Sequence, residues 1–302
     1  MLLGPMIDDL PGAGLYALSV ALLLGSVEWW HRRRRPPPEW SRKLVHAGAG
    51  LVSLSLPWLV SSSGTVACLA VGFVGLLVAG RRAAWLGCIH GVERRTSGAY
   101  LYPVAVWGLF ALSGGDALRF GIPLAVLAFA DSAAALAGSV PRQPHYWGVK
   151  SGRSLEGSFA FFVVAYMATL TGLVLAGAPG GSTVVVALAV AALTTGAEGV
   201  SAGGTDNLFV PAVAWLVLEG TLGRPPMALA GWVLGAALSV APLALALRRG
   251  ERSRRRDFVG GALAGAPAMA LGGWSCGVLA LASWTTAARP TRPVSPASQR
   301  PM

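Results

Sequence analysis

A chain of 302 residues that is 54% hydrophobic, only 12% charged and has a mean hydropathy of +0.60 is too apolar for a soluble domain, in which about a quarter of residues carry charge. Its formal charge of +11 does not mark a nucleic-acid binder, because the basic residues fall in short clusters between apolar runs, as orientation signals do. Cys68, Cys88 and Cys276 are far apart and lack metal-ligand spacing, so no disulfide framework is expected.

In chain order, the first apolar run covers 10–30. It follows Asp8 and Asp9 rather than a basic segment, and ends in Trp29, Trp30 and Arg32 to Arg35. That pattern reads as a retained span with an interfacial anchor, not a cleaved signal. Glu28 sits near its end without an evident partner. Further spans are expected at 43–60, 63–80, 99–113, 119–138, 157–177, 182–198, 206–222, 226–247 and 257–284. The ruler is the 20 or so apolar residues that a helix needs to cross the hydrocarbon core. The fold class is therefore all-α, a polytopic integral membrane helical bundle of about ten transmembrane spans. One membrane domain is expected over 1–286, with a Pro-, Ser- and Arg-rich tail, 287–302, read as disordered.

Most of the 24 Lys and Arg fall in the loops 31–43, 81–98, 139–156 and 248–256. With both chain ends outside, these are the cytoplasmic loops. The same topology collects the unusual polar residues on the cytoplasmic face. Residues 85–95 also read as a possible interfacial amphipathic segment.

Asp131-Ser132 interrupts the apolar stretch Ile122 to Gly138, where a charge costs roughly 2.5–3.5 kcal/mol on insertion scales. Small residues surround it. A cavity-facing Asp131 could bind Mg²⁺ through carboxylate oxygen; the plainer reading is a structural acid paired with a basic residue. The next loop carries Arg142, His145, Lys150 and Arg153, then Ser154-Leu155-Glu156-Gly157-Ser158 at the mouth of the following span. Its glycines, hydroxyls and charges suit a phosphate at a helix N-terminus, against the simpler reading of a basic orientation loop. Position 157 is Gly, so no capping box explains Glu156, and no Walker A pattern occurs. Glu198 and Asp206-Asn207 flank a Gly-rich hairpin; they could hold a second Mg²⁺ or ribose hydroxyls, or Asp206-Asn207 could be an exposed turn. Arg42-Lys43-Leu44-Val45-His46 opens the second span, with His46 on the same face as Arg42 by i, i+4 spacing; alone this is an interface anchor. Asp116 and Glu219 lie on the opposite side and receive no role.

Taken together, Arg42-Lys43-x-x-His46, Asp131-Ser132-Ala-Ala, Arg153-Ser154-Leu155-Glu156-Gly157-Ser158, Glu198 and Asp206-Asn207-Leu208-x-Val210-Pro211 resemble the ordered motifs of the phytol kinase/dolichol kinase family. These are integral membrane polyprenol kinases that typically use CTP and are related in fold to phosphatidate cytidylyltransferases. The resemblance covers about 40–215 and leaves out the last two spans and the tail. Arg153 stands where the family pattern has Lys; it keeps the charge and can grip a phosphate with two N–H bonds.

The resemblance implies a membrane lipid-alcohol kinase that transfers the terminal phosphoryl group of CTP to a prenol such as phytol, geranylgeraniol or dolichol, with Mg²⁺ as cofactor. The expected catalytic residues are Asp131, Glu156 and Asp206. Metal ligands are expected among Asp131, Glu156, Glu198 and Asp206. Nucleotide and phosphate contacts are expected from Lys150, Arg153, Ser154, Gly157, Ser158 and Asn207, with Arg42, Lys43 and His46 as accessory residues. Two competitors remain at this stage. One is a cytidylyltransferase that joins CMP to a lipid phosphate. The other is an ion-coupled transporter, which inverted repeats would favour and which polar residues gathered at one face disfavour.

Overall fold

The computed structural model describes residues 3–83, 85–90, 97–139, 154–178, 180–201, 203–225, 227–235 and 278. The chain divides into two compact units, Met1–Gly223 and Arg224–Met302. The first unit contains the whole region that resembles the kinases. Of the second, residues 227–235 are helical and most of the rest, including all but Val278 of the expected span 257–284, lies outside the described residues.

The first unit is built from helices. A short α1 (Leu3–Asp8) leads into α2 (Leu10–Arg34), α3 (Pro38–Ser53), a one-turn α4 (Leu56–Leu59), α5 (Ser63–Arg82) and a one-turn α6 (Gly87–His90). Next come α7 (Gly98–Ser113), α8 (Ala117–Ala125), a π-helical turn (Val126–Ala130), α9 (Asp131–Gly138), α10 (Leu155–Leu175), α11 (Gly180–Val200) and α12 (Asp206–Thr221). Among the described residues five helices are long and apolar enough to cross a membrane: Leu10–Arg34, Ser63–Arg82, Ala117–Gly138, Leu155–Leu175 and Gly181–Gly199. Gly98–Ser113 is a shorter apolar helix. The expected count of about ten is not reached on this measure.

Local chemistry sets the helix ends. Pro38 opens α3, where a missing N–H costs nothing and the fixed φ suits a first turn. Ser62 caps α5 by accepting from Gly64 N, and Asp116 caps α8 by accepting from Arg119 N at 2.8 Å. The αL residue Gly114, at φ 60°, closes α7. Sequence reading expects a single span over 43–60. The structure starts that helix earlier and breaks it after Ser53, because Pro57 cannot continue it and Ser55 turns its hydroxyl back onto Val52 O at 2.7 Å.

The segment Ala117–Gly138 is the centre of the unit. In its most apolar window 61% of residues are buried, against 22% in Leu10–Arg34 and in Leu155–Leu175. It packs against α3, α7, α10 and α12. Phe110 and Phe120 meet edge to face beside it at 5.6 Å. Close approach on α3 depends on Gly50: a Cβ there would collide with Ala128 of the π-helical turn and reach the Tyr102 hydroxyl at 3.0 Å.

Contacts between helix ends tie the bundle at several points. Ser97, ahead of α7, donates to Gly203 O at 2.9 Å in the hairpin between α11 and α12. The end of α9 lies against the start of α10, where Gly138 faces Gly157 and Ser154. The C-terminal turn of α2 is tied to α6, because Glu28 accepts from Arg32 Nε at 2.6 Å and from Cys88 N at 2.9 Å. Glu28 thus has the partners that the sequence did not disclose. Arg119 and Glu219, at 3.4 Å, are paired structurally.

Candidate functional site

The π-helical turn sits immediately before Asp131. Such a turn adds a residue to the helical repeat and frees backbone carbonyls. Two of these carbonyls are taken by side chains: Leu127 O lies 3.2 Å from His46 Nε2, and Ala128 O accepts from Ser132 Oγ at 2.7 Å. The distortion turns Asp131 towards α3 rather than towards lipid.

On α3, Lys43 and His46 are three residues apart and share a face. Lys43 Nζ donates to Asp131 Oδ2 at 2.5 Å, and His46 Nε2 lies 3.3 Å from the same oxygen. Lys43 is 5% exposed and Asp131 7%, so this is an interior ion pair. Both neighbours of His46 Nε2 are acceptors, Leu127 O and Asp131 Oδ2, which assigns the proton to Nε2. The His46 ring meets Tyr102 of α7 edge-on at 4.6 Å. The sequence reading put His46 on one face with Arg42; in the structure His46 and Lys43 both reach Asp131. Arg42 turns to Glu39, bonding it through Nε at 3.1 Å and Nη2 at 2.5 Å, while remaining within electrostatic reach of both Asp131 and Asp206.

The other expected residues are placed as follows. Ser154 is the N-cap of α10 and accepts from Gly157 N at 3.1 Å. Its hydroxyl therefore has a capping role, although the sequence shows no capping box. Gly157 is buried against α9, where a Cβ would press on Ala134 O at 3.0 Å. Glu156 is exposed in the first turn of α10 and Ser158 is half-buried. Glu198 is buried near the end of α11. Asp206 is half-buried at the start of α12. Asn207 is buried, and its Nδ2 donates to Gly98 O at 2.8 Å, which joins α12 to α7. Lys150 and Arg153 lie outside the described residues, as do Arg142, His145 and part of 85–95.

Thus Lys43, His46 and Asp131 meet directly. Ser154 and Gly157 join α9 through the start of α10. Two residues of the cluster were underread in the sequence. Lys43, ranked as accessory, is Asp131's closest partner; its i, i+3 spacing to His46 was the available signal. Tyr102 was missed, because a tyrosine inside an apolar run carries no mark of what it faces.

The metal expectation can be weighed on these donors. Among the described residues no three His, Cys, Asp or Glu gather as a metal cage. Mg²⁺ keeps several waters and is usually held through one or two carboxylates plus substrate phosphates.

The comparisons decide the family. A phytol kinase of Synechocystis sp. (strain ATCC 27184 / PCC 6803 / Kazusa) is 31% identical over 211 residues, which is 67% of this chain and 89% of that protein. The chain belongs to the phytol kinase family. No family model and no solved structure matches it.

Proposed function

We propose that the protein is a prenol kinase that transfers the terminal phosphoryl group of CTP to a lipid alcohol of the phytol or geranylgeraniol type, working on the cytoplasmic face of the membrane. One observation carries this reading: a buried carboxylate, Asp131, held between Lys43 and His46 beside Arg42, in a member of the phytol kinase family.

The reaction needs few groups. The alcohol oxygen bonds to the terminal phosphorus while the bridging bond to the penultimate phosphate breaks, leaving a lipid monophosphate and CDP. Phosphoryl transfer rests mainly on positioning and on charge stabilisation. Asp131 orients the alcohol and takes its proton. Lys43 keeps Asp131 in place and presents positive charge to the phosphoryl oxygens, and Arg42 adds a second charge on the same helix. His46, with its proton on Nε2, fixes the carboxylate from the other side. Lys150 and Arg153 are proposed to grip the outer phosphates from the loop ahead of α10. Mg²⁺ would be held by Asp131 and Asp206, with Glu156 and Glu198 as further candidates, and would supply charge neutralisation to the triphosphate when bound.

The test uses purified protein in detergent with terminally labelled CTP or ATP and a panel of prenols including phytol, geranylgeraniol and dolichol. The expected outcome is a labelled lipid monophosphate, with CTP preferred. A CDP-lipid with release of pyrophosphate would replace the kinase with a cytidylyltransferase. Absence of any nucleotide-dependent product would reject both.

A further inference from the structure

Six arginines gather where α2 and α5 end. Arg32 to Arg35 close α2, Arg81 and Arg82 close α5, and all six are exposed. The two helices run side by side in the same direction. Asp9, just ahead of α2, binds Ser61, Ser62 and Thr65 at the start of α5, while at the other end Arg32 Nη2 donates to Trp85 O at 2.8 Å. Trp85 N in turn donates to Gly80 O at 3.2 Å, which holds it to the last turn of α5. Val27, Leu77 and Leu86 share one buried cluster at this junction. Arg32 is paired with Glu28, whereas Arg33, Arg34, Arg35, Arg81 and Arg82 have no carboxylate partner among the described residues.

A solvated basic loop needs no apolar face leading into it. Here each group of arginines continues an exposed apolar stripe. On α2, Leu18, Leu22, Trp29 and Arg33 follow at steps of four, seven and four residues, which keeps them on one helical face. On α5, Val71, Val78 and Arg82 follow at steps of seven and four. Gly25 and Gly75 belong to these stripes, and a Cβ at either would meet nothing within 4 Å, so each stripe has a shallow gap in its side-chain cover. The Arg33 guanidinium lies 5.4 Å from the centroid of the Trp29 ring, a cation–π distance. Trp85, beside Arg32, is exposed as well. Apolar side chains, then tryptophan, then cations is the order met on leaving the hydrocarbon for the headgroup layer of a membrane.

We propose that the joined ends of α2 and α5 bind an anionic phospholipid. Arg33, Arg34 and Arg82 take the phosphate of its headgroup, Trp29 packs at the level of the glycerol, and the acyl chains lie along the two stripes. Guanidinium groups suit this role, because their planar fork offers two parallel N–H bonds to phosphate oxygens. The occupant is a lipid rather than a free nucleotide or inorganic phosphate, because the cations continue apolar faces that a soluble anion would leave uncovered. It is an anionic lipid rather than a zwitterionic one, because the latter brings its own ammonium group and gains less from arginines that lack a counter-charge. The inference goes beyond the prenol kinase reading and does not depend on it.

Two measurements on the full chain in detergent test the proposal. The first is native mass spectrometry of binding to phosphatidylglycerol and to phosphatidylcholine of the same acyl chains. The wild type should bind phosphatidylglycerol at least about tenfold more tightly, since one basic residue beside an anionic surface is worth about fivefold. Arg33→Gln/Arg34→Gln/Arg82→Gln should bring the two lipids within about threefold of each other. Arg252→Gln/Arg254→Gln/Arg255→Gln, in the loop 248–256, makes the same change in net charge and should keep the wild-type affinities within about twofold. Equal loss in both triple variants would reduce the effect to net charge and overturn the proposal, as would a wild type without preference for phosphatidylglycerol. Inorganic phosphate in large excess at constant ionic strength should leave the lipid bound; displacement would make this a site for soluble anions and overturn it too. The second measurement uses the wild type alone, with phosphatidylglycerol that carries a diazirine on its headgroup. Adducts are expected within 29–35 and 81–85. Adducts confined to other segments overturn the proposal, and this map decides even where a variant fails to fold.

Discussion

Asp131 and Lys43 dictate what substitution at the site should do. Sequence reasoning alone expects Asp131→Asn, Glu156→Gln and Asp206→Asn to remove activity and leave the fold intact. For Glu156 and Asp206, which are exposed and half-buried, that expectation stands. For Asp131 the ion pair changes it. Removing one partner of a buried pair leaves an uncompensated charge and costs about 3–5 kcal/mol. Asp131→Asn should therefore lower both the melting temperature and the rate, the rate by about 10²–10⁴-fold. The double variant Lys43→Met/Asp131→Leu replaces both charges with apolar groups and should recover most of the stability while remaining inactive. Thermal unfolding and a labelled-nucleotide assay on the wild type and these variants check this; a double variant with activity would remove both residues from the chemistry. A second residue-scale expectation concerns Cys88. Burial, together with Glu28, pushes its thiol up to about 12. With Cys68 and Cys276 replaced by Ser, Cys88 should resist thiolate-specific alkylation at pH 8 in the folded protein and react fully in denaturant.

At the scale of the element, helix ends carry the stability signals. Asp9 precedes α2 and clasps the start of α5. Its carboxylate accepts from Ser61 N at 2.8 Å, Ser62 N at 2.9 Å, Ser61 Oγ at 2.9 Å and Thr65 Oγ1 at 2.8 Å. Burial pushes the carboxyl up, but these four donors outweigh it and hold Asp9 below its ordinary value. A depressed folded value contributes stability that is fully present above the unfolded value of about 3.9 and is lost as pH falls through the lower folded value. Asp9→Ala should cost about 1–3 kcal/mol near neutral pH. Its deficit relative to wild type should shrink below about pH 4, as melting curves across pH would show. The glycines of the contacts matter in the same way. Gly204 has φ +92°, and a Cβ there would run into Gly98 at the start of α7. Gly204→Ala should therefore separate the hairpin before α12 from α7 and disturb Asp206 and Asn207, which sit in that corner.

Taken whole, the first unit joins the starts of α7 and α12 and brings α3 to α9 at Asp131. The basic loops 31–43 and 81–98 read as lying on one membrane face. If this is the cytoplasmic face, single cysteines introduced at Arg35 and Arg82 should react with a membrane-impermeant maleimide only from the cytoplasmic side of oriented vesicles. Labelling from the opposite side would place the Asp131 cluster away from cytoplasmic CTP and defeat the proposed reaction.

The sequence by itself determined the class of molecule. Apolar runs long enough to span a bilayer can only be satisfied as helices, because the hydrocarbon core offers backbone groups no other partner. It also marked the chemistry-bearing residues, since a carboxylate at Asp131 has no reason to sit in an apolar run unless something answers it. What answers it was not legible. Periodicity placed His46 with Arg42, but the direction of α3 against the central segment brings Lys43 and His46 to Asp131 and leaves Arg42 to Glu39. The π-helical turn that aims Asp131 has no signature in Val126 to Ala130, all of them apolar. Asn207 and Ser154, read as nucleotide or phosphate contacts, also hold helix ends, because the same donors and acceptors serve both purposes. Residue type and spacing report which groups are costly to bury; only the packing of α3, α7 and α9 decides which of them meet, because that depends on helix rotation and register that a linear pattern does not encode.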